Sequence, residues 1–191
     1  MTTLIVIIVV VVVVLAIAAA VVIPSMRRRR LQEQFGPEYE RTVESAGDRR
    51  EAEQDLAQRA QRRKELEIRP LDPVARDGYA QQWRHTQERF VDSPNDAVEE
   101  ADGLVQQVMR DRGYPTGDFD QRARDVSVDH ADVVSEYHAA HDISVLNGRR
   151  QASTEQLREA MVHYRTLFAD LLDDDDGSAA GRSAEENMPG R

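Results

Sequence analysis

Apolar residues form one continuous run near the start of the chain and helical stripes farther along. Residues 4–23 contain no charged or polar side chain, and about twenty helical residues at about 1.5 Å each span the roughly 30 Å hydrocarbon core of a bilayer. The sequence therefore predicts a transmembrane anchor within residues 1–30. Its predicted membrane-contacting residues include Leu4, Ile5, Val12, Leu15 and Ile23.

Charge around this run predicts its topology. No charged side chain lies between Met1 and Thr3, whereas Arg27, Arg28, Arg29 and Arg30 follow the run. Basic clusters stay on the cytoplasmic side and contact anionic headgroups, so we expect the N-terminus outside and the bulk of the chain in the cytoplasm. A cleaved signal peptide, leaving an exported or surface-held domain, is the alternative, although its apolar core spans only about 7–15 residues.

The segment after the arginines has the pattern of a charged helix. Apolar residues recur every four positions from Leu31 to Val43, across Gly36-Pro37, which predicts one jointed helix or two short ones. Gly47-Asp48 is typical of a helix stop followed by an N-cap. We predict a charged helical arm over residues 31–69, acting as a spacer or as a weak coiled coil that forms a homodimer.

Helix signals then recur through residues 70–172. Asp72-Pro73 and Ser93-Pro94 combine an N-cap with proline at the first helical position, and Ser153 with Gln156 resembles a capping box. No stretch alternates long enough to predict a strand. We expect an all-α chain whose main domain is a small antiparallel helical bundle. Its heaviest predicted core residues are Trp83, Phe90, Tyr164 and Phe168.

The last residues are acidic and poor in apolar side chains. Asp173 to Asp176 lie where the negative end of a helix dipole disfavours carboxylates. We predict a disordered acidic tail over residues 173–191.

Net charge and the absence of cysteine exclude several kinds of partner and site. The chain has a formal net charge of -10, and residues 71–191 contain 13 basic and 25 acidic residues. This surface repels phosphate backbones, so we expect no nucleic acid partner. Cysteine is absent, which excludes disulfides, thiolate catalysis and cysteine-zinc sites. We expect no cofactor, and as partners a lipid bilayer and another protein.

Histidines form the one cluster that resembles metal-ligand spacing. His138 and His141 lie at i and i+3, and His130 precedes them. A metal site needs three or four converging ligands, and a helical histidine pair often arises by chance. A histidine-based metal-binding enzyme is therefore the weaker alternative, and without a catalytic motif in the sequence we expect no enzyme.

The connection from Arg110 to Asp120 contains an aromatic, a proline and several charges, as binding loops often do. It gives the candidate interaction loop Arg110, Tyr114, Pro115 and Phe119. The alternative is a tight turn with Tyr114 and Phe119 packed into the bundle.

Four segments resemble a known family: QFGPEYERTVESAGDRREAE, RFVDSPNDAVEEAD, MRDRGYPTGDFDQRARDVSVDHADVV and EAMVHYRTLF. They cover much of residues 32–172 and are similar to small single-pass membrane proteins of high-GC Gram-positive bacteria. That resemblance implies no activity, cofactor or catalytic residue, and the frequent description of the family as secreted conflicts with the charge asymmetry, which we follow. The sequence thus predicts a membrane-anchored cytoplasmic adaptor or scaffold that binds another protein.

Overall fold

The computed structural model of the protein describes residues 25–185, with side chains described for residues 25–173. Every regular element within these residues is a helix, and none of them forms a strand, which confirms the predicted all-α class. The chain divides into two compact units between Gln58 and Arg59, whereas the sequence predicts that the bundle begins near residue 70. The difference arises because the last turn of the second helix belongs with the bundle.

Membrane crossing was predicted for the start of the chain. Within residues 25–185, no helix combines the length and the apolar character that a bilayer span requires. The predicted anchor, which includes Leu4, Ile5, Val12, Leu15 and Ile23, lies outside the described residues. It stays a prediction from the sequence.

The first unit contains helix α1 (residues 25–46) and the start of α2 (Arg49–Arg63). Gly36 adopts a φ of 44° inside α1, a conformation that glycine reaches without the steric cost of a side chain. Pro37 follows it and has no backbone N–H to donate. The structure therefore has the jointed form of this helix rather than two separate helices.

The connection between α1 and α2 matches the predicted stop and cap. Gly47 has a φ of 68°, and Asp48 Oδ1 accepts hydrogen bonds from the backbone nitrogens of Arg50 (2.7 Å) and Glu51 (3.0 Å). These bonds satisfy donors that a helix start leaves free. The buried apolar residues of this unit are Leu31, Phe35, Tyr39, Ala52 and Leu56.

The second unit is a helical bundle, as predicted. Its helices are α3 (Pro73–Arg89), α4 (Pro94–Asp111), α5 (Phe119–Val126), α6 (Val134–Gly148) and α7 (Thr154–Glu185). α7 packs against α4 and α6, while α3 packs on α4 and α5 on α6. The largest fully buried side chains here include Tyr137, Tyr164, Met109, Leu157, Leu167 and Leu171.

Helix starts in this unit follow the capping signals in the sequence. Asp72 Oδ1 accepts from the backbone nitrogens of Val74 (3.0 Å) and Ala75 (2.9 Å). The Ser153 nitrogen donates to Gln156 Oε1 (2.9 Å), and the Gln156 nitrogen donates to Ser153 Oγ (3.3 Å). The second pair is a reciprocal capping box, so these two predicted starts are confirmed. The third predicted start is also present, since α4 begins at Pro94, but the Ser93 side chain makes no capping hydrogen bond.

The end of α6 is fixed by a pair of asparagines. Asn147 is 2% exposed, and its Nδ2 donates to the backbone oxygen of Asn95 (2.9 Å) while Asn95 Nδ2 donates to Asn147 Oδ1. α6 ends at Gly148, and the left-handed residue after it is Arg150, with a φ of 55°. These bonds tie the end of α6 to the start of α4.

Helix α7 is longer than the sequence predicts. It continues to Glu185, whereas disorder was predicted from Asp173 onward. Once a helix is nucleated each further residue adds a hydrogen bond, and no proline interrupts the chain before Pro189. Residues 186–191 of the predicted tail lie outside the described residues.

The surroundings of all five tyrosines raise their pKa above the ordinary value of 10.0. Burial is the first cause that raises the pKa of each tyrosine, and for Tyr79 it acts with a hydrogen bond to Asp111 to give a pKa of about 12. Since the folded pKa exceeds the ordinary value of 10.0, the tyrosines contribute stability that is complete below pH 10 and is lost as the pH rises through the folded pKa.

We expect an alkaline titration, followed by phenolate absorbance, to show these raised pKa values. The tyrosines of the folded protein should ionise at a higher pH than those of the same chain in urea, where burial is absent. The free energy of unfolding should fall above pH 10 for the same reason. Coincident titration curves for the folded and urea-unfolded chains would contradict the prediction.

Candidate functional site

The predicted headgroup arginines lie in the described part of α1. Arg27, Arg29 and Arg30 are exposed, and Arg28 is half-buried. Because successive helical residues are rotated by about 100°, four of them in a row surround the helix. The arrangement gives α1 a ring of positive charge directly after the predicted anchor.

The candidate interaction loop is largely packed against the bundle. Tyr114 is buried, and its hydroxyl donates to Asp129 Oδ2 (2.8 Å). Phe119 is half-buried and stacks on His141 with ring centroids 3.6 Å apart. Pro115 is half-buried, and only Arg110 of the four predicted residues is exposed. The alternative of a tight turn with tucked aromatic rings therefore describes this segment.

Of the three candidate histidines, His138 and His141 contact the same aromatic ring, whereas His130 has a different partner. His130 is 3% exposed, and its Nδ1 lies 2.5 Å from Asp170 Oδ2. His138 meets the edge of the Phe119 ring, and His141 stacks on its face, where burial lowers the pKa of His141. Within residues 25–173, no group of three or more His, Asp or Glu side chains is placed to hold a metal ion.

A polar cluster that the sequence did not indicate joins the last turn of α2 to α5 and to the turn that follows it. Asp125 is 2% exposed, and its Oδ1 accepts from Arg62 Nε (2.9 Å) and Gln121 Nε2 (3.0 Å). Arg63 pairs with Asp129 in the same region. A buried carboxylate is tolerated only with such partners, so the cluster fixes this turn of α2 to the bundle.

An open groove lies between the end of α3 and the first half of α7. Its volume is about 150 Å³, and its lining is mixed. Phe90, Met161 and Val162 supply the apolar part, and Gln87 with two arginines supplies the polar part. Its lining residues are Gln87, Phe90, Arg158, Met161, Val162 and Arg165.

The sequence pattern explains why this face of α7 was missed. Met161 belongs to the apolar stripe of α7 and is buried. Val162 lies beside that stripe and is 47% exposed. Phe90 was predicted as a heavy core residue, yet it is only half-buried because α3 ends there. The groove thus forms where the core stripe reaches the surface.

Fold and groove together define the second unit as an all-α helical bundle with a surface recess of mixed apolar and basic lining. No family model, curated protein or solved structure matches the chain. What the recess binds must be inferred from its own residues.

Proposed function

We propose that the protein is a single-pass, membrane-anchored helical module that binds another protein as an adaptor or scaffold, with its bundle in the cytoplasm. The apolar run of residues 4–23 supports the anchor. The exposed arginines in the described part of α1 support the orientation, since a basic cluster stays cytoplasmic and attracts anionic headgroups.

The groove between α3 and α7 is the observation that carries the binding function. Recesses between the helices of a bundle are frequent binding sites, and their apolar floors contribute most of the affinity. A partner side chain that covers Phe90, Met161 and Val162 removes apolar area from water, which stabilises the complex.

The buried titratable side chains support binding rather than catalysis. His130 is paired with Asp170, Asp125 with Arg62, and Tyr114 with Asp129. Each of these pairs joins two parts of the bundle and so contributes to holding the fold. A reactive role would require that one of these pairs be opened to a substrate.

Reporter fusions at the C-terminus test the anchor and its orientation. We expect a reporter that matures only in the cytoplasm to be active in the membrane fraction. Replacing Arg27 to Arg30 by glutamate should reduce that activity, because the positive charge that fixes the orientation is lost. An active external reporter, or a mature chain that starts near Val21, would support the exported or surface-held alternative instead.

Purification of the tagged full-length protein from its native membranes tests the groove. We expect proteins recovered with the wild type to be lost with Val162→Asp, by about tenfold or more, because a carboxylate in the apolar centre of the groove loses its hydration when a partner covers it, which weakens binding by more than about 1.4 kcal/mol. The matched control is Val74→Asp, since Val74 is 81% exposed and lies outside the groove. Equal recovery with both variants would contradict a binding role for the groove.

A further inference from the structure

We propose that the partner docks an acidic amphipathic helix in the groove between α3 and α7, an inference that rests on the binding function proposed above. Apolar side chains of that helix contact Phe90, Met161 and Val162. Its carboxylates, on either side of the apolar residues, pair with Arg158 and Arg165. The partner is thus identified by a pattern of two chemistries, apolar in the centre and negative at both ends.

The shape of the groove fits a helix. α7 lines it with Arg158, Met161, Val162 and Arg165, which lie at i, i+3, i+4 and i+7 and form a stripe of two turns, or about 10 Å. A helix that docks in a groove presents the same spacing from its own apolar face. Gln87 in the last turn of α3 and Phe90, the residue that caps its C-terminal end, form the opposite wall. Two helical walls therefore present matching ridges to a third helix.

The size of the groove excludes most small molecules. Its volume is about 150 Å³, whereas sites for drug-sized ligands occupy about 300–1000 Å³. A volume of this order suits one or two side chains that project from a larger partner. The occupant is therefore better described as part of a macromolecule than as a free metabolite.

The charges of the groove select an acidic partner. Arg158 and Arg165 are exposed and stand at the two ends of the α7 stripe. The bundle around them is acidic, with 20 acidic and 11 basic residues between residues 71 and 173. Two arginines beside an apolar recess thus make a local positive site on a negative surface, which favours carboxylates at this place and repels them elsewhere.

Acidic residues of α7 and α3 are neighbours of the groove residues. Arg158 pairs with Glu155, and both side chains are more than half exposed. Exposed pairs of this kind are weak and exchange readily with water. Glu88 and Glu159 are exposed neighbours in the chain of Gln87 and Arg158. These carboxylates compete with the partner for Arg158, which lowers the affinity expected from that residue. Arg165 is therefore the stronger of the two expected contacts.

A phospholipid headgroup shares the negative charge of a carboxylate, but its tails do not match the groove. Acyl chains need a long continuous apolar channel, and a recess of about 150 Å³ with arginines at both ends of its α7 wall does not provide one. The observations therefore favour the acidic helix, and lipid binding becomes an outcome of the experiment.

Fluorescence anisotropy with a synthetic peptide tests the proposal. The probe is a labelled helical peptide with leucines at i, i+3 and i+4 and glutamates one turn before and one turn after them. The full-length protein is held in nanodiscs of zwitterionic lipid. We expect this peptide to bind at least about tenfold more tightly than its counterpart with lysine in place of glutamate. High salt should reduce the difference, since charges are screened beyond roughly 3 Å at 1 M salt.

Three variants identify the contacts. Arg165→Glu should weaken binding of the acidic peptide by about tenfold or more and improve binding of the lysine peptide, which a structural role alone would not produce. Val162→Asp should weaken both peptides. The charge-matched control is Arg149→Glu, since Arg149 is exposed at the end of α6 and outside the groove. Circular dichroism and melting temperatures confirm that each variant is folded.

The acidic helix can be contradicted while the proposed binding function stands. Equal affinity for the two peptides, or an unchanged affinity in Arg165→Glu, would overturn the acidic helix. A second contrary result would be that the wild type binds protein-free vesicles of anionic lipid but not the peptide, and that Arg165→Glu abolishes the vesicle binding. That result would assign the groove to lipid and would also overturn the acidic helix. In either case, recovery of a native partner that Val162→Asp removes would leave the binding function standing.

Discussion

Gly113→Ala is expected to lower the free energy of unfolding by roughly 2–5 kcal/mol, the sum of a left-handed backbone and an overpacked contact. Gly113 follows α4 with a φ of 97°, a conformation that side chains strongly disfavour. A methyl group there would lie 2.4 Å from the backbone oxygen of Glu67. The backbone of that segment is held in place, because the Arg69 nitrogen donates to the oxygen of Arg112 (2.9 Å).

The matched control for this change is Gly103→Ala. Gly103 lies inside α4, and a methyl group added there meets no atom within 4 Å. Alanine should stabilise the helix at that position by about 0.5–1 kcal/mol. Urea unfolding followed by circular dichroism compares the two variants. Similar midpoints for Gly113→Ala and Gly103→Ala would contradict the close approach between residues 67 and 113.

Phe168→Ala is expected to cost about 3–5 kcal/mol, because it removes a large aromatic ring from the core and leaves a cavity. Phe168 stacks on Trp83 with ring centroids 4.7 Å apart and an angle of 20° between the rings. Both side chains are buried. This contact joins α3 to α7, so its loss should loosen the two walls of the groove as well.

Trp83 provides a direct signal for this prediction, since it is the only tryptophan in the chain. Its fluorescence should shift to longer wavelength in Phe168→Ala, as water reaches the indole, and the urea midpoint should fall. Val162→Ala on the same helix is the control, because truncation of a half-exposed side chain changes stability by less than about 0.5 kcal/mol. An unchanged emission in Phe168→Ala would contradict the stack.

Helix boundaries could be predicted where the signal is local. The N-cap of Asp72 before Pro73 and the box of Ser153 with Gln156 involve atoms within three residues of each other, so the sequence alone specifies them. Gly113 is a similar case, because glycine is the residue that best ends a helix in the left-handed region. Arg150 could not be predicted in this way, because it occupies the left-handed region although it is not a glycine.

The polar sites could not be predicted because their partners are distant in the chain. Arg62 meets Asp125 across a separation of 63 residues, and His130 meets Asp170 across 40. Nothing in the sequence around either residue indicates which helix will face it. The groove was missed for the same reason, since its two walls come from α3 and α7 and the apolar pattern of each was assigned to the core.

The hydrogen-bonded pair of Asn147, at the end of α6, and Asn95, at the start of α4, affects how fast Asn147 deamidates. Asparagine followed by glycine is prone to deamidation, because the next backbone nitrogen can attack the side-chain amide without steric hindrance. In α6 that nitrogen belongs to the helical Gly148, and the Asn147 amide is held by Asn95 out of reach of water. The folded chain should therefore keep this amide during storage. A mass gain at Asn147 would record the time that a molecule has spent with the end of α6 open.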